Sequence, residues 1–221
     1  MCFDPFALLA KDAPESLYEN LHDIVSTIIP LTVNAKDPFW EQSEQSILNK
    51  LLEYYYRLGM GFIDALSMIL CNKLEVLLGM LSKPEMQFTS MFVGGVTSMK
   101  PEALSSIEEG IRQKIEVFVY SRIAHAFRGN SRDNTVHKFD LDCLNEYNVF
   151  LRIPDDKIET WGRAINLLLG QLIWYLQRRG SKYDDPESIP TLLLMDEFAR
   201  LGKEKGTPSR DIPSLAEGRS R

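Results

Sequence analysis

"PTLLLMDEFARLG", residues 190–202, is a run of apolar residues closed by two acids, and its reading decides the fold. A short apolar run of this kind reads as a buried strand. Ligand sites in parallel sheets lie at the carboxyl ends of strands, and "TLLLM" delivers Asp196 and Glu197 to that edge. An acid so placed suits a Mg²⁺ ion that neutralises phosphate charge, and a second acid beside it suits the orienting of an attacking water. Acids also follow strands without any catalytic role, and they favour helix N-termini. The pair alone leaves both readings open.

Upstream, "YNVFLRI" (147–153) is rich in β-branched and aromatic residues, is bounded by Pro154, and reads as a second strand. Between the two lies "DDKIETWGRAINLLLGQLIWYLQRR" (155–179), a helix pattern with acids in its first turn and arginines in its last. Strand, helix and strand in this order imply parallel pairing. The middle of the chain differs. "SLYENLHDIVSTII" (16–29) places Leu17, Leu21, Ile24, Val25 and Ile28 on one helical face. Asp37 is the expected N-cap and Pro38 the first residue of a helix that stops at Gly59 or Gly61. A further helix is expected over 62–81, a loose connector over 82–99, and a long helix over 102–127. The last has Leu104, Ile107, Ile111, Ile115, Phe118 and Ile123 near one face, and Gly110 as a mild cost. "CFDPF" (2–6) reads as a strand end turned by Pro5. The expected fold is mostly α with a partial α/β core.

The bulk composition narrows the function. A hydrophobic share of 44% and a charged share of 25% over 221 residues are those of an ordinary globular chain. Net charge is -6, so any nucleic-acid contact must be local. Cys2, Cys71 and Cys143 form no metal spacing, which points to free thiols in a reducing compartment. "MCFDPFALLAKD" lacks the basic start of a signal peptide. Residues 62–81 are the most apolar stretch, but Asp64, Lys73 and Glu75 interrupt it and argue against a membrane span.

"LLLMDEFARLGK" (192–203) resembles the Walker B segment of the type IV coupling proteins, the ATPases that link conjugation and type IV secretion channels to their cargo. "FDPFALL" (3–9), "DPFWEQSEQSILNKLLEYY" (37–55), "VFLRIPDDKIETWGRAINLLLGQLIWYL" (149–176) and "SLAEGRSR" (214–221) resemble the same family in the same order. The resemblance is looser between about 60 and 140. It implies an all-α domain over 37–140 inserted in a fragment of a RecA-like P-loop NTPase domain, with 1–36 and 141–221 as parts of that core. Asp196 would then be the Mg²⁺-coordinating acid and Glu197 the water-activating one. The intact family proteins bind ATP and Mg²⁺, act as homohexamers anchored in the bacterial inner membrane, and contact channel components. Their cytoplasmic all-α domain is implicated in contacts with single-stranded DNA and with relaxase or secreted protein substrates.

The chain departs from that pattern. No "GxxxxGK[ST]" occurs, so the nest and lysine that cradle phosphate are missing and no nucleotide is expected on this chain alone. The membrane helices expected ahead of the P-loop are missing too, which suggests the soluble middle part of a longer protein. "SRIAHAFRGNSRDNTVHK" (121–138) offers Arg122, Arg128, Arg132 and Lys138 against Asp133 as a local DNA contact. Such runs are more often solvated helix ends. Trp40, Trp161 and Trp174 fit packing better than base stacking. The competing functional class is a self-standing helical adaptor that binds a protein partner and has no nucleotide role.

Overall fold

The computed structural model describes residues 2–32, 38–82, 96, 98–119, 121–128, 140–179 and 189–196. Its elements are helices: α1 (Phe6–Leu9), α2 (Leu17–Ile28), α3 (Phe39–Arg57), α4 (Phe62–Cys71), α5 (Leu74–Leu81), α6 (Pro101–Val119), α7 (Ser121–Phe127) and α8 (Gly162–Arg178), with short 3₁₀ turns at Pro14–Ser16, Leu141–Asn145 and Asp155–Lys157.

Apolar spacing and a few stopping residues account for most of them. The stripe expected on α2 is buried, and Pro30 forces Ile29 out of helical geometry, to φ -121° and ψ 78°. At the end of α3, Gly59 takes φ +76°. Its N–H meets the Tyr56 carbonyl at 2.8 Å, and the Met60 N–H meets that of Tyr55 at 3.1 Å, a Schellman stop that favours glycine. Pro38 occupies the N-cap position of α3 rather than its first turn; Asp37 lies outside the described residues. On α6, Ile107, Ile111, Ile115 and Phe118 are buried as their spacing predicts, and Ile123 of α7 joins them.

The helix expected over 62–81 is broken in two. Asn72 and Lys73 are extended, and α6 holds the break open. Arg112 donates to the Leu70 carbonyl at 2.7 Å and the Asn72 carbonyl at 2.9 Å, and Glu108 accepts from the Leu74 N–H at 3.2 Å. One ion-paired couple on α6 thus satisfies the end of α4 and the start of α5. Gly110, read from sequence as a mild cost, is a required gap: a Cβ there would stand 1.9 Å from Glu44 Oε1, whose carboxylate crosses α6 to pair with Lys114.

"CFDPF" ends a strand only in the single bridge residue Cys2, and the turn at Pro5 leads straight into α1. Asp4 is buried, and its Oδ1 accepts from the Phe6 N–H at 2.9 Å and the Phe62 N–H at 3.3 Å, so one carboxylate serves the starts of both α1 and α4. Phe3 and Phe6 are thereby driven into the helical block. The ring of Phe62 lies 5.5 Å from Phe6, 5.7 Å from Phe118 and 6.4 Å from Phe127. The first two are edge-on pairs, each contributing about 0.5–1.5 kcal/mol beyond burial. A single apolar cluster runs from Phe3 to Leu167, with α2 packed against α3 and α8, and α6 against α3, α4 and α5.

The strands expected at 147–153 and 191–195 do not form: among the described residues only Cys2 makes a ladder contact. A strand needs a paired neighbour, and these runs have none among the described residues. Phe150 is 90% exposed, Leu192 79% and Leu194 85%. A RecA-like core therefore has no sheet among the described residues. α8 starts at Gly162, not at Asp155, so Asp155, Asp156 and Glu159 precede its first turn and only the basic end, Arg178, matches the dipole. Trp161, Trp174, Met80 and Met99 pack against the core, but Trp40 is 42% exposed beside Phe39. No described helix is long and apolar enough to cross a membrane.

Candidate functional site

The acid-bearing segment, Ile189–Asp196, is held at its start by the end of α8. Arg179, the C-cap residue of α8, donates through Nη2 to the Ile189 carbonyl and to Thr191 Oγ1 at 3.0 Å, and through Nη1 to Asn145 Oδ1 at 2.8 Å. Beyond the clasp, burial alternates residue by residue: Thr191, Leu193 and Met195 are half-buried, and Leu192, Leu194 and Asp196 are exposed. That period of two belongs to extended backbone.

A polar network ties the same region to the N-terminal segment. Lys11 pairs with Asp140 and Asp142, both at 2.7 Å. Tyr175 donates to Asp142 Oδ1 at 2.7 Å. Arg178 pairs with Asp12 at 2.6 Å while its guanidinium lies over the Trp174 ring at 4.0 Å, and Asn20 bridges Asp12 and Arg178. Burial works to lower the Lys11 pKa, but the hydrogen bonds and charges of Asp140 and Asp142 outweigh it and raise it. The Lys11 and Tyr175 hydrogen bonds hold the Asp142 carboxyl below its usual range. Burial, then the Asp142 hydrogen bond and charge, push the Tyr175 hydroxyl up to about 12. The network joins Lys11 and Asp12, the turn at Leu141–Asn145, and the end of α8.

Of the residues singled out from sequence, Asp196 lies exposed at the end of the clasped segment, and Glu197, Arg132 and Lys138 fall outside the described residues. Arg122 and Arg128 are both exposed, and each has an acid nearby. Arg128 faces Asp64 of α4 at 3.9 Å with both side chains near half exposure, a pair worth at most about 1 kcal/mol. Asp156 is held low first by its hydrogen bond from Lys157, with the charge of Arg122 among the smaller causes. The pair is thus a weak cationic site, partly neutralised from α4 and from the turn before α8. Sequence reading missed Arg179, Lys11, Asp142 and Tyr175. Arg179 was visible only as a favourable charge at a helix end; nothing local marks it as a clasp for a segment ten residues on.

Of the two acids that the resemblance assigns to metal and water, Asp196 alone lies among the described residues. Leu192 and Leu194 beside it face outward instead of into a sheet that would fix a ligand edge. No group of three or more His, Cys, Asp or Glu side chains able to hold a metal occurs among the described residues. The 221 residues contain no phosphate-cradling GxxxxGK[ST] motif. The family model for type IV secretory system conjugative DNA transfer matches residues 1–205. No curated protein and no solved structure matches the chain.

Proposed function

The chain belongs to the type IV secretory system conjugative DNA transfer family, and from that premise we propose that it is the cargo-recruiting part of a coupling protein. On this reading residues 37–140 are the all-α domain that receives DNA with its relaxase, or a secreted protein substrate, and delivers it to the channel. Residues 1–36 and 141–221 belong to the ATPase core. ATP hydrolysis then requires a phosphate cradle that these 221 residues do not contain. Asp196 and Glu197 serve Mg²⁺ and the attacking water only where such a cradle and the membrane-anchored hexamer are assembled.

The family match over most of the chain carries the reading. The helices support it by closing one core around Phe62 and Phe118, both fully buried, to which Phe3, Phe6, α2 and α8 also contribute, while Tyr147–Leu151, Leu192 and Leu194 stay exposed. A closed helical core suits a binding role; the exposed apolar residues suit a catalytic core that needs more partners. Purified chain titrated with the relaxase of its own conjugative element, and with a fluorescent single-stranded oligonucleotide at low and raised salt, tests it. Saturable relaxase binding, with any DNA binding weakened by salt and by Arg122→Gln/Arg128→Gln, is expected. No binding to either at low salt refutes recruitment. Calorimetry with Mg·ATP is expected to give no heat of binding, and micromolar affinity would overturn the assignment of nucleotide chemistry to the assembled protein alone.

A further inference from the structure

We propose that Arg179 is a positioning residue that fixes the phase of the Ile189–Asp196 segment and so decides the side on which Asp196 emerges. The metal role of Asp196 rests on the function proposed above; the clasp itself does not. Thr191, Leu193 and Met195 are spaced by two, so in extended backbone their side chains present to one face, the half-buried one. Arg179 takes the Thr191 hydroxyl at the start of that face and the Ile189 main-chain carbonyl just before it. Leu192, Leu194 and Asp196 then alternate outward.

Thr191 makes the reading specific. Between Ile189 and Met195 it is the only residue with a polar side chain. A slip of one residue would bring Pro190 and Leu192 to the guanidinium, and Leu192 has no side-chain oxygen to offer in place of the Thr191 hydroxyl. The same slip would exchange the two faces and turn Asp196 inward. One guanidinium with its donors in a rigid fork suits this discrimination better than an ammonium, since it holds Asn145 at the same time. The clasp acts over about 17 Å of extended chain between Thr191 and Asp196.

Heteronuclear NOEs of the backbone amides, measured on the whole chain, test this. In the parent protein Leu192–Met195 should show the values of ordered backbone. Arg179→Ala should reduce them to those of a free chain end while amides of α2, α3 and α6 keep theirs. Thr191→Val, which leaves α8 untouched, should shift Leu192–Leu194 in the same direction. Unchanged values at Leu192–Met195 in Arg179→Ala would overturn the proposal. Should Arg179→Ala lower the NOEs of every helix, Thr191→Val decides alone, and an unaltered Leu192–Leu194 in it overturns the proposal equally. Mn²⁺ added to the parent separates the two ideas: a selectively broadened Asp196 amide in this chain alone would overturn the assignment of its metal role to the assembled protein, whatever the clasp does.

Discussion

Replacing Gly110 by alanine should destabilise the protein, although the same change elsewhere in its helices should not. In a helix interior Gly→Ala ordinarily gains about 0.8–1 kcal/mol. At Gly110 the new Cβ would lie 1.9 Å from Glu44 Oε1 and 2.8 Å from Glu44 Cδ. The clash is with the end of a flexible side chain, which is often cheap to move. Here it is not, because Glu44 is 5% exposed and its carboxylate is held by Lys114. Pushing it aside sacrifices a charge-assisted hydrogen bond, about 1.5–3 kcal/mol, and leaves a largely buried carboxylate without its cation. Lys114 keeps some contact with water, at 22% exposure, so the lower half of that range is the better guide. Net of the propensity gain, a loss of about 1 kcal/mol is expected, or about 2–4 °C in Tm for a chain of this size. Gly170 of α8 has nothing within 4 Å of its would-be Cβ, so Gly170→Ala should raise Tm. Thermal unfolding followed by circular dichroism compares the two directly. Glu44→Ala/Gly110→Ala should recover part of the loss relative to Glu44→Ala alone, since the obstacle is gone. A Gly110→Ala protein as stable as Gly170→Ala would refute the reasoning, because it would mean that Glu44 does not lie across α6.

Arg112→Ala should cost about 2–3 kcal/mol in urea unfolding, since it removes the donors to the Leu70 and Asn72 carbonyls at the α4–α5 break; a cost below about 0.5 kcal/mol would show that water replaces them. Leu52→Ala, at a fully buried site, should cost about 2–5 kcal/mol, whereas Leu194→Ser, at 85% exposure, should stay within about 0.5 kcal/mol in the same assay. Stability should also fall at high pH. Lys11 and Tyr175 both have raised folded-state pKa values, so their contributions are complete below the unfolded values and are lost as pH climbs, for Tyr175 between 10 and about 12. Asp142→Asn should flatten that alkaline decline. It should also remove an acid-side loss, because the lowered pKa of Asp142 contributes stability above the ordinary carboxylate range that disappears as pH falls through the folded value. Urea midpoints across the pH range check both arms, and an unaltered alkaline slope in Asp142→Asn would sink the network as the cause.

What was legible in the sequence was the part written as a period. Leu17, Leu21, Ile24, Val25 and Ile28 face inward because residues three and four apart share a helix face, and Ile107, Ile111, Ile115 and Phe118 do so for the same reason. Gly59 was legible because a left-handed stop has few residue choices. The break at Asn72–Lys73 was not, because residues 62–81 are apolar enough to continue as one helix, and the partners that split them, Glu108 and Arg112, come about forty residues later. The same holds for Gly110, whose purpose exists only once Glu44 of α3 crosses it.

The acids of "LLLMDEF" illustrate the limit more sharply. A strand is recognised by its own composition, but it exists only through its neighbour's backbone. Leu192 and Leu194 have the composition and lack a neighbour among the described residues, so they stand exposed with strand-like alternation and no described ladder. Family membership is carried by the local pattern and survives that lack. Placement of Asp196 is not local, and it falls instead to Arg179, Asn145 and Thr191, which connect the segment to the network built on Lys11, Asp142 and Tyr175. Motif and anchor are therefore separable: a substitution at Arg179 leaves "DEF" unaltered in sequence while removing the contact that sets its orientation. That is why the clasp, rather than the acids, is the informative place to perturb this end of the chain.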